Sequence, residues 1–458
     1  MPVEPRTRPT SKMRRQLYVS GLVKHISGYP YAILDTAVAS RWENARMIPL
    51  TTCQHVHSAL LAEQEIALLD VREEDIFAQA HPLFAANLPL STIARDAPAR
   101  IPRLSTEIVV YDDGEGLALP AREQLQALGY TEVTLLDGGL AGWRAAGGEL
   151  FQDVNAPSKA FGELVAEQRH TPMLPAEEVH ALLTHNSNVV VLDTRRFDEY
   201  HTMAIPGGIS VPGAELVLRV AALAPDPSTH VIVNCAGRTR SIIGTQSLVN
   251  AGIPNPVHAL RNGTIGWKLA GLTLDHGAGR CFRPVAPTQQ AQASARARSV
   301  ADRAGVRRAN VADMTRFLAD DARTTYCLDV RTPEEFAAGH LPGFASAPGG
   351  QLVQETDMVM PVRGARVVLA DLDDVRANMT ASWLAQMAWD VWVLDDVQPN
   401  QCTATGDLPL SAPASAHRYR RPYEGTDNPL KAMQAYLDWE YGLVDQLARD
   451  GTHGFRVI

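Results

Sequence analysis

The chain has 458 residues, of which 45% are hydrophobic and 20% charged, with a formal net charge of −9. That length exceeds one ordinary core and points to about three domains, the composition excludes global disorder, and no apolar run reaches the ~18 residues of a membrane helix. The acidic balance argues against a general nucleic-acid binder, because such proteins carry a basic surplus that neutralises phosphates.

Residues 1–46 place Arg6, Arg8, Lys12, Arg14 and Arg15 among serine, threonine and proline. They read as an N-terminal extension rather than a transit peptide, and no long apolar segment follows that would act as a secretory signal. Beyond them one unit is repeated three times. Apolar strands end in Asp-x-Arg at Asp70-Val71-Arg72, Asp193-Thr194-Arg195 and Asp329-Val330-Arg331, and an acidic-aromatic turn such as Phe197-Asp198-Glu199-Tyr200 follows. From each aspartate the end of the next apolar strand lies 42 residues on: Asp70 leads to Asp112, Asp193 to Cys235 and Asp329 to Asp371. Each aligned position is followed by a helical stretch (121–128, 242–251, 378–387) and a further apolar strand (133–136, 257–260, 391–394). This alternation predicts an α/β fold of three tandem domains, each a mainly parallel sheet flanked by helices, with ligands at the strand C-termini. Copies one and two close with Gly138-Gly139-Leu140-Ala141-Gly142-Trp143 and Asn262-Gly263-Thr264-Ile265-Gly266-Trp267, whereas copy three has no obvious equivalent.

Composition shifts place the boundaries at 47–154, 155–278 and 310–405, with Asn155–His170 separating the first two copies. Residues 279–309, rich in alanine, glutamine and arginine, read as a linker containing a helix near 294–304. The tail 406–458 is loop-like over 409–422. It then forms a helix over 429–450, started by Asn428-Pro429 and stopped by Gly451. Leu430, Met433, Leu437, Leu443, Val444 and Leu447 give that helix an apolar face expected to dock on the rest of the chain. The run Arg418-Tyr419-Arg420-Arg421-Pro422-Tyr423 is expected to be solvated or packed on its neighbour rather than to hold an anionic partner.

The stretch Val231-Ile232-Val233-Asn234-Cys235-Ala236-Gly237-Arg238-Thr239-Arg240-Ser241 carries the chemistry. A β-branched strand delivers Cys235 into a short loop with two arginines and no carboxylate, and a helical stretch follows. Backbone N–H groups and the dipole at a helix N-terminus favour a thiolate over a thiol, so the loop reads as a nucleophile in an anion cradle. The five cysteines (Cys53, Cys235, Cys281, Cys327, Cys402) are odd in number and far apart. They form neither a disulfide framework nor a zinc spacing, and they suit a reducing cytoplasm. Cys327 lies within an expected strand and reads as core; Cys53, Cys281 and Cys402 lie near boundaries.

The stretch Asp329-Val330-Arg331-Thr332-Pro333-Glu334-Glu335-Phe336-Ala337-Ala338-Gly339-His340-Leu341-Pro342-Gly343 resembles the first signature of the rhodanese family. Cys235–Ser241 resembles the active-site loop of that family, and the Gly-x-x-x-Trp ends resemble its closing segment. The resemblance spans roughly residues 50 to 400. It implies sulfur transfer: the Cys235 thiolate takes the outer sulfur of a small anionic donor such as thiosulfate, holds it as a persulfide and passes it to a thiol or cyanide. An acceptor protein is a further candidate partner; no cofactor, metal, nucleic acid or membrane is implied. Ala236, Gly237, Arg238, Thr239, Arg240 and Ser241 then form the persulfide loop, with Arg238 and Arg240 supplying charge to the donor. Asp193 and Arg195 brace it. Asp112 and Asp371 stand at the nucleophile position of copies one and three, and an aspartate cannot form a persulfide, so those copies resemble inactive modules.

Copy two also departs from the family pattern. Ala204 replaces the usual histidine before Pro-Gly, and Arg238 takes the place of a loop glycine, with Gly237 one position earlier. Related phosphatases and arsenate reductases use a Cys/Arg loop one residue longer than the six positions Cys235–Arg240, and a histidine where this chain has Asn234. A non-catalytic scaffold or persulfide sensor is the alternative of a different class. The loop lacks the Cys-Gly-small-Gly-Val-Thr pattern of mercaptopyruvate enzymes, which favours thiosulfate or low-molecular-weight persulfides as donor.

Overall fold

Three mainly parallel sheets are laid down in chain order, and the parallel strands of each have the same order. In the computed structural model, which describes residues 48–185, 188–406, 417–421 and 423–458, the first sheet holds β1 (Leu50–Thr51), β2 (Ile66–Asp70), β3 (Ala86–Asn87), β4 (Ile108–Tyr111) and β5 (Val133–Leu136). The second holds β6 (Met173–Leu174), β7 (Val189–Asp193), β8 (Ile209–Ser210), β9 (His230–Asn234) and β10 (Val257–Leu260). The third holds β11 (Arg307–Ala309), β12 (Thr325–Asp329), β13 (Ala345–Ser346), β15 (Arg366–Ala370) and β16 (Asp390–Leu394). The second sheet runs β6-β10-β9-β7-β8, and the other two repeat that order with their own strands. The N-terminal extension and residues 409–416 and 422 of the expected loop lie outside the described residues.

Both faces of the central strands are covered, so they read as continuous apolar runs rather than alternating ones. Val231, Ile232 and Val233 in β9 are all buried, as are Val109 and Val110 in β4 and Val367 and Val368 in β15. The registers agree as well. Asp193 faces Asn234, Asp70 faces Tyr111 and Asp329 faces Ala370, so the next residue in each copy, Cys235, Asp112 or Asp371, leaves its sheet at an equivalent point.

Pro49–Ile458 forms one compact unit, and three features join the copies. The strand β14 (Val362–Arg363), which precedes β15, pairs antiparallel with β2 of copy one. The segment expected to separate copies one and two is instead a helix, Ala156–Arg169, buried over ten consecutive residues from Ala156 to Val165. Its Phe161 lies edge-on to Trp383 and Phe455, and Ser158 donates to the Gln354 carbonyl at 2.6 Å.

The expected linker 279–309 is also structural. A helix covers Pro287–Arg303, longer than 294–304, and buries Ala293, Ala297, Val300 and Ala301 between the helices Leu216–Leu223 and Arg376–Gln386. Small residues at this spacing let the helices approach closely, a pattern that composition alone reads as a spacer. Residues 307–309 belong to the third sheet as β11, so domain three begins earlier than position 310.

The C-terminal helix expected over 429–450 is broken into Pro429–Tyr441 and Leu443–Asp450, with Gly442 between them. Met433, Leu437, Leu443 and Leu447 are buried and Val444 is partly buried, whereas Leu430 is exposed. The break turns the second helix toward the helix Ala156–Arg169.

Candidate active site

Cys235 follows β9 directly and is 2% exposed. The helix Thr239–Asn250 begins four residues later, so the Cys235 loop turns across a helix N-terminus as the sequence predicts. The thiol donates to Ser241 Oγ at 3.4 Å, and that hydroxyl donates to the Arg238 carbonyl at 2.8 Å. On the other side the closing segment of copy two meets the loop. Thr264 N donates to the Cys235 carbonyl at 2.9 Å, and Ile265 N to the Ala236 carbonyl at 3.0 Å. Asn262 and Gly263 have φ of 62° and 55°, and a Cβ on Gly263 would run into the Cys235 carbonyl oxygen. Glycine is therefore required there by both conformation and space.

The loop carbonyls of Cys235 and Ala236 thus turn outward. The amides of Gly237, Arg238, Arg240 and Ser241 donate no hydrogen bond among the described residues. Copies one and three show what such amides bind. Asp112 accepts from Gly114 N at 3.0 Å, Leu117 N at 2.5 Å and Ala118 N at 2.9 Å. Asp371 accepts from Asp374 N at 3.1 Å and Ala377 N at 2.8 Å. These amides align with Gly237, Arg240 and Ser241 of copy two in the first case, and with Arg238 and Ser241 in the second. In copies one and three the aspartate side chain itself occupies the cradle, whereas in copy two the corresponding amides have no partner among the described residues.

The brace is identical in all three copies. Asp193 Oδ1 accepts from Arg195 N and Nε, and Oδ2 from Nη2 at 2.7 Å, while Nη2 also donates to the Met203 carbonyl at 2.6 Å. Asp70–Arg72 and Asp329–Arg331 repeat this geometry. Asn234 Nδ2 donates to Asp193 Oδ2 at 2.7 Å, which ties the brace to the residue before the cysteine.

Arg238 and Arg240 do not present unpaired charge, contrary to the expectation from sequence. Arg238 Nε and Nη2 donate to Glu163 at 2.7 and 2.6 Å, and Nη1 donates to Asn262 and to the Tyr441 hydroxyl. The Tyr441 ring lies 4.0 Å from the guanidinium centre. Arg240 pairs with both oxygens of Glu199, at 2.6 and 2.9 Å. A buried cation needs such partners, because desolvation without them costs several kcal/mol per ion. The arginines therefore tie the loop to Glu163 and Glu199 rather than offering unpaired charge.

Burial alone would raise the Glu199 carboxyl, but Arg240, with Arg421 and Arg195, holds it down to about 2. A carboxylate depressed on folding contributes stability that is complete above its unfolded value near 4.5 and is lost as pH falls through about 2. Glu199→Gln is expected to lose this acid-side slope between about pH 4.5 and 2, as read by denaturant titrations at several pH values. A variant with the wild-type slope would show that the pair is not coupled to folding.

A cavity of about 1150 Å³ opens over the loop. Its walls include Cys235, Glu73 and Arg95 of copy one, Glu355 of copy three, and Tyr423 and Glu440 of the tail. Part of the basic-aromatic run packs inward, with Arg421 3.7 Å from Glu199 and Tyr423 edge-on to Tyr436, whereas Arg418 and Arg420 are exposed. Sequence reasoning missed Glu163, Glu199, Asn262, Glu440 and Tyr441. One signal for Glu199 was present, because Glu335 and Arg376 of copy three occupy the aligned positions and also pair. Glu440 and Tyr441 lie some two hundred residues from the loop and carry no local signal.

Among the described residues no cluster of side chains could hold a metal ion, and no helix is long and apolar enough to cross a membrane. A family model described as the rhodanese-like domain matches residues 54–146 and 175–270. The crystal structure of a thiosulfate sulfurtransferase from Pseudomonas aeruginosa matches with a TM-score of 0.88 and 53% identity, covering 90% of this chain and 100% of that one. A curated relative, an HTH-type transcriptional regulator of Mycobacterium tuberculosis, is 33% identical over 90 residues. That match covers 20% of this chain and 39% of the regulator.

Proposed function

The chain belongs to the rhodanese-like family, and from that premise we propose that it is a sulfurtransferase whose donor is thiosulfate or a related sulfane compound and whose nucleophile is Cys235. The Cys235 thiolate attacks the outer sulfur of the donor. A sulfur–sulfur bond forms at Cys235 as the bond to the sulfonate breaks, and sulfite leaves with the electron pair. The terminal persulfide sulfur, negatively charged, accepts from the cradle amides of Gly237, Arg238, Arg240 and Ser241. A thiolate or cyanide then attacks that sulfur, and Cys235 departs as the thiolate. Preorganised amides aimed at the developing charge are the main source of stabilisation in this scheme.

The observation that carries the reading is the carboxylate of Asp112 held by three amides at the site equivalent to the Cys235 cradle. It is an internal anion in the same geometry, and it explains why copy one needs no ligand. Copies one and three act as walls of the cavity rather than as catalysts, since neither offers a thiol at its strand end. All five cysteines are free, which fits a reducing compartment such as the cytoplasm. The cavity is roomy enough for a thiol of low molecular weight beside the donor. Intact mass after exposure to thiosulfate tests the proposal: a gain of one sulfur, reversed by cyanide or a thiol, is expected. Stable partner capture with no sulfur gain from any sulfane donor would favour the scaffold alternative.

A further inference from the structure

The tail helix Pro429–Tyr441 places a carboxyl group directly over the Cys235 loop. Glu440 is 2% exposed, and its Oε2 has no hydrogen-bond partner among the described residues. Its Oε1 accepts from the Tyr436 hydroxyl at 3.2 Å. The free oxygen points at the loop: a Cβ added to Gly237 would lie 3.3 Å from it. Glu440 and Cys235 line the same cavity.

A carboxylate beside a cradle for anions is a contradiction unless the group is neutral. As a carboxylate it would repel a dianionic donor across a low-dielectric gap; as an acid it offers an O–H to that donor's oxygen. We propose that Glu440 is a protonated carboxyl that donates a hydrogen bond to the anionic sulfur donor, and that its ionisation closes the donor step. This inference rests on the reading of Cys235 as the sulfur-accepting nucleophile.

The surroundings of Glu440 agree with that role. Burial pushes its carboxyl up to about 7, with Glu163 and Asp153 adding to the rise and Lys159 and Arg238 opposing it. Lys159 is occupied by Asp153 at 2.7 Å, and Arg238 by Glu163, so neither cation is spare to pair with Glu440. Tyr436, on the same helix, is buried and donates to the other carboxyl oxygen. The proton lost on ionisation passes to solvent, and the carboxylate remains facing the loop.

The test is single-turnover persulfide formation from thiosulfate by the full chain, wild type against Glu440→Gln, quenched and read by intact mass between pH 6 and 8.5. The amide keeps an N–H donor and cannot ionise. Whatever its value at pH 6, the variant-to-wild-type rate ratio should rise roughly tenfold by pH 8, one unit above a carboxyl of about 7. Iodoacetamide alkylation of Cys235, followed in both proteins over the same pH range, normalises the ratio for any difference in thiolate content. A ratio that stays flat would overturn the role of Glu440. Wild-type protein alone provides a second reading: inhibition of the donor step by sulfate, a dianion that cannot transfer sulfur, should weaken over the same range. Sulfate inhibition unchanged from pH 6 to 8 would also overturn it. If wild type forms no persulfide at any pH, the underlying reading of Cys235 fails instead.

Discussion

Cys235→Ser is expected to abolish turnover with thiosulfate and either cyanide or a thiol, a loss of roughly three orders of magnitude or more, as removal of a covalent nucleophile generally causes. Intact mass should show no added sulfur. The serine hydroxyl fits the same space, but it forms no persulfide and is not ionised near neutral pH. Fold and stability should be nearly unchanged, because the serine hydroxyl is close to isosteric with the thiol and can keep its one side-chain hydrogen bond among the described residues, to Ser241. Cys281→Ser, at an exposed position, is the matched control and should keep its sulfur gain. Persulfide on the Cys235→Ser protein would move the chemistry to another thiol and remove the basis for the loop assignment.

Arg376→Leu is expected to have the largest effect on stability, a loss of about 3–5 kcal/mol measured by denaturant titration. Arg376 holds three carboxylates. Its Nη1 donates to Glu215 at 2.8 Å, its Nε to Asp373 at 2.7 Å, and its terminal nitrogens to Glu335. Glu215 belongs to copy two, so the guanidinium also ties two copies together. Removing it leaves Asp373 buried without a counter-charge and Glu215 with Arg219 as its remaining partner at 2.8 Å, whereas Glu335 is partly exposed and can turn to water. An added Asp373→Asn substitution should restore part of the loss, because the amide oxygen can still accept from the Val375 and Arg376 amides. A loss under ~1 kcal/mol would place Arg376 with exposed surface pairs such as Arg298–Asp395.

Much of the architecture is legible because it is local and repeated. Apolar runs ending in Asp-x-Arg mark strand ends, and the bidentate pairing of residues two apart is available to any strand that stops that way. The spacing from Asp193 to Cys235 carries over unchanged to the other copies because each crossover must return its chain to the neighbouring strand. The helices at Ala156–Arg169 and Pro287–Arg303 are the counterexamples. Their sequences look like separators, yet tertiary burial makes them central, since small residues permit close packing that a hydropathy pattern does not announce.

The site divides along the same line. From the order of residues alone come the α/β units, the cysteine at a strand end before a helix, the two aspartates at the equivalent strand ends of the other copies and the glycine turns that close copies one and two. These follow from neighbours in the chain, whose geometry is set by a few dihedral angles. The tertiary structure decided the rest: that Arg238 and Arg240 are held by Glu163 and Glu199, that copies one and three wall the cavity, and that the tail brings Glu440 over Gly237. The electrostatics of a buried group depend on what surrounds it in space. For the Cys235 loop those surroundings come from both ends of the described chain.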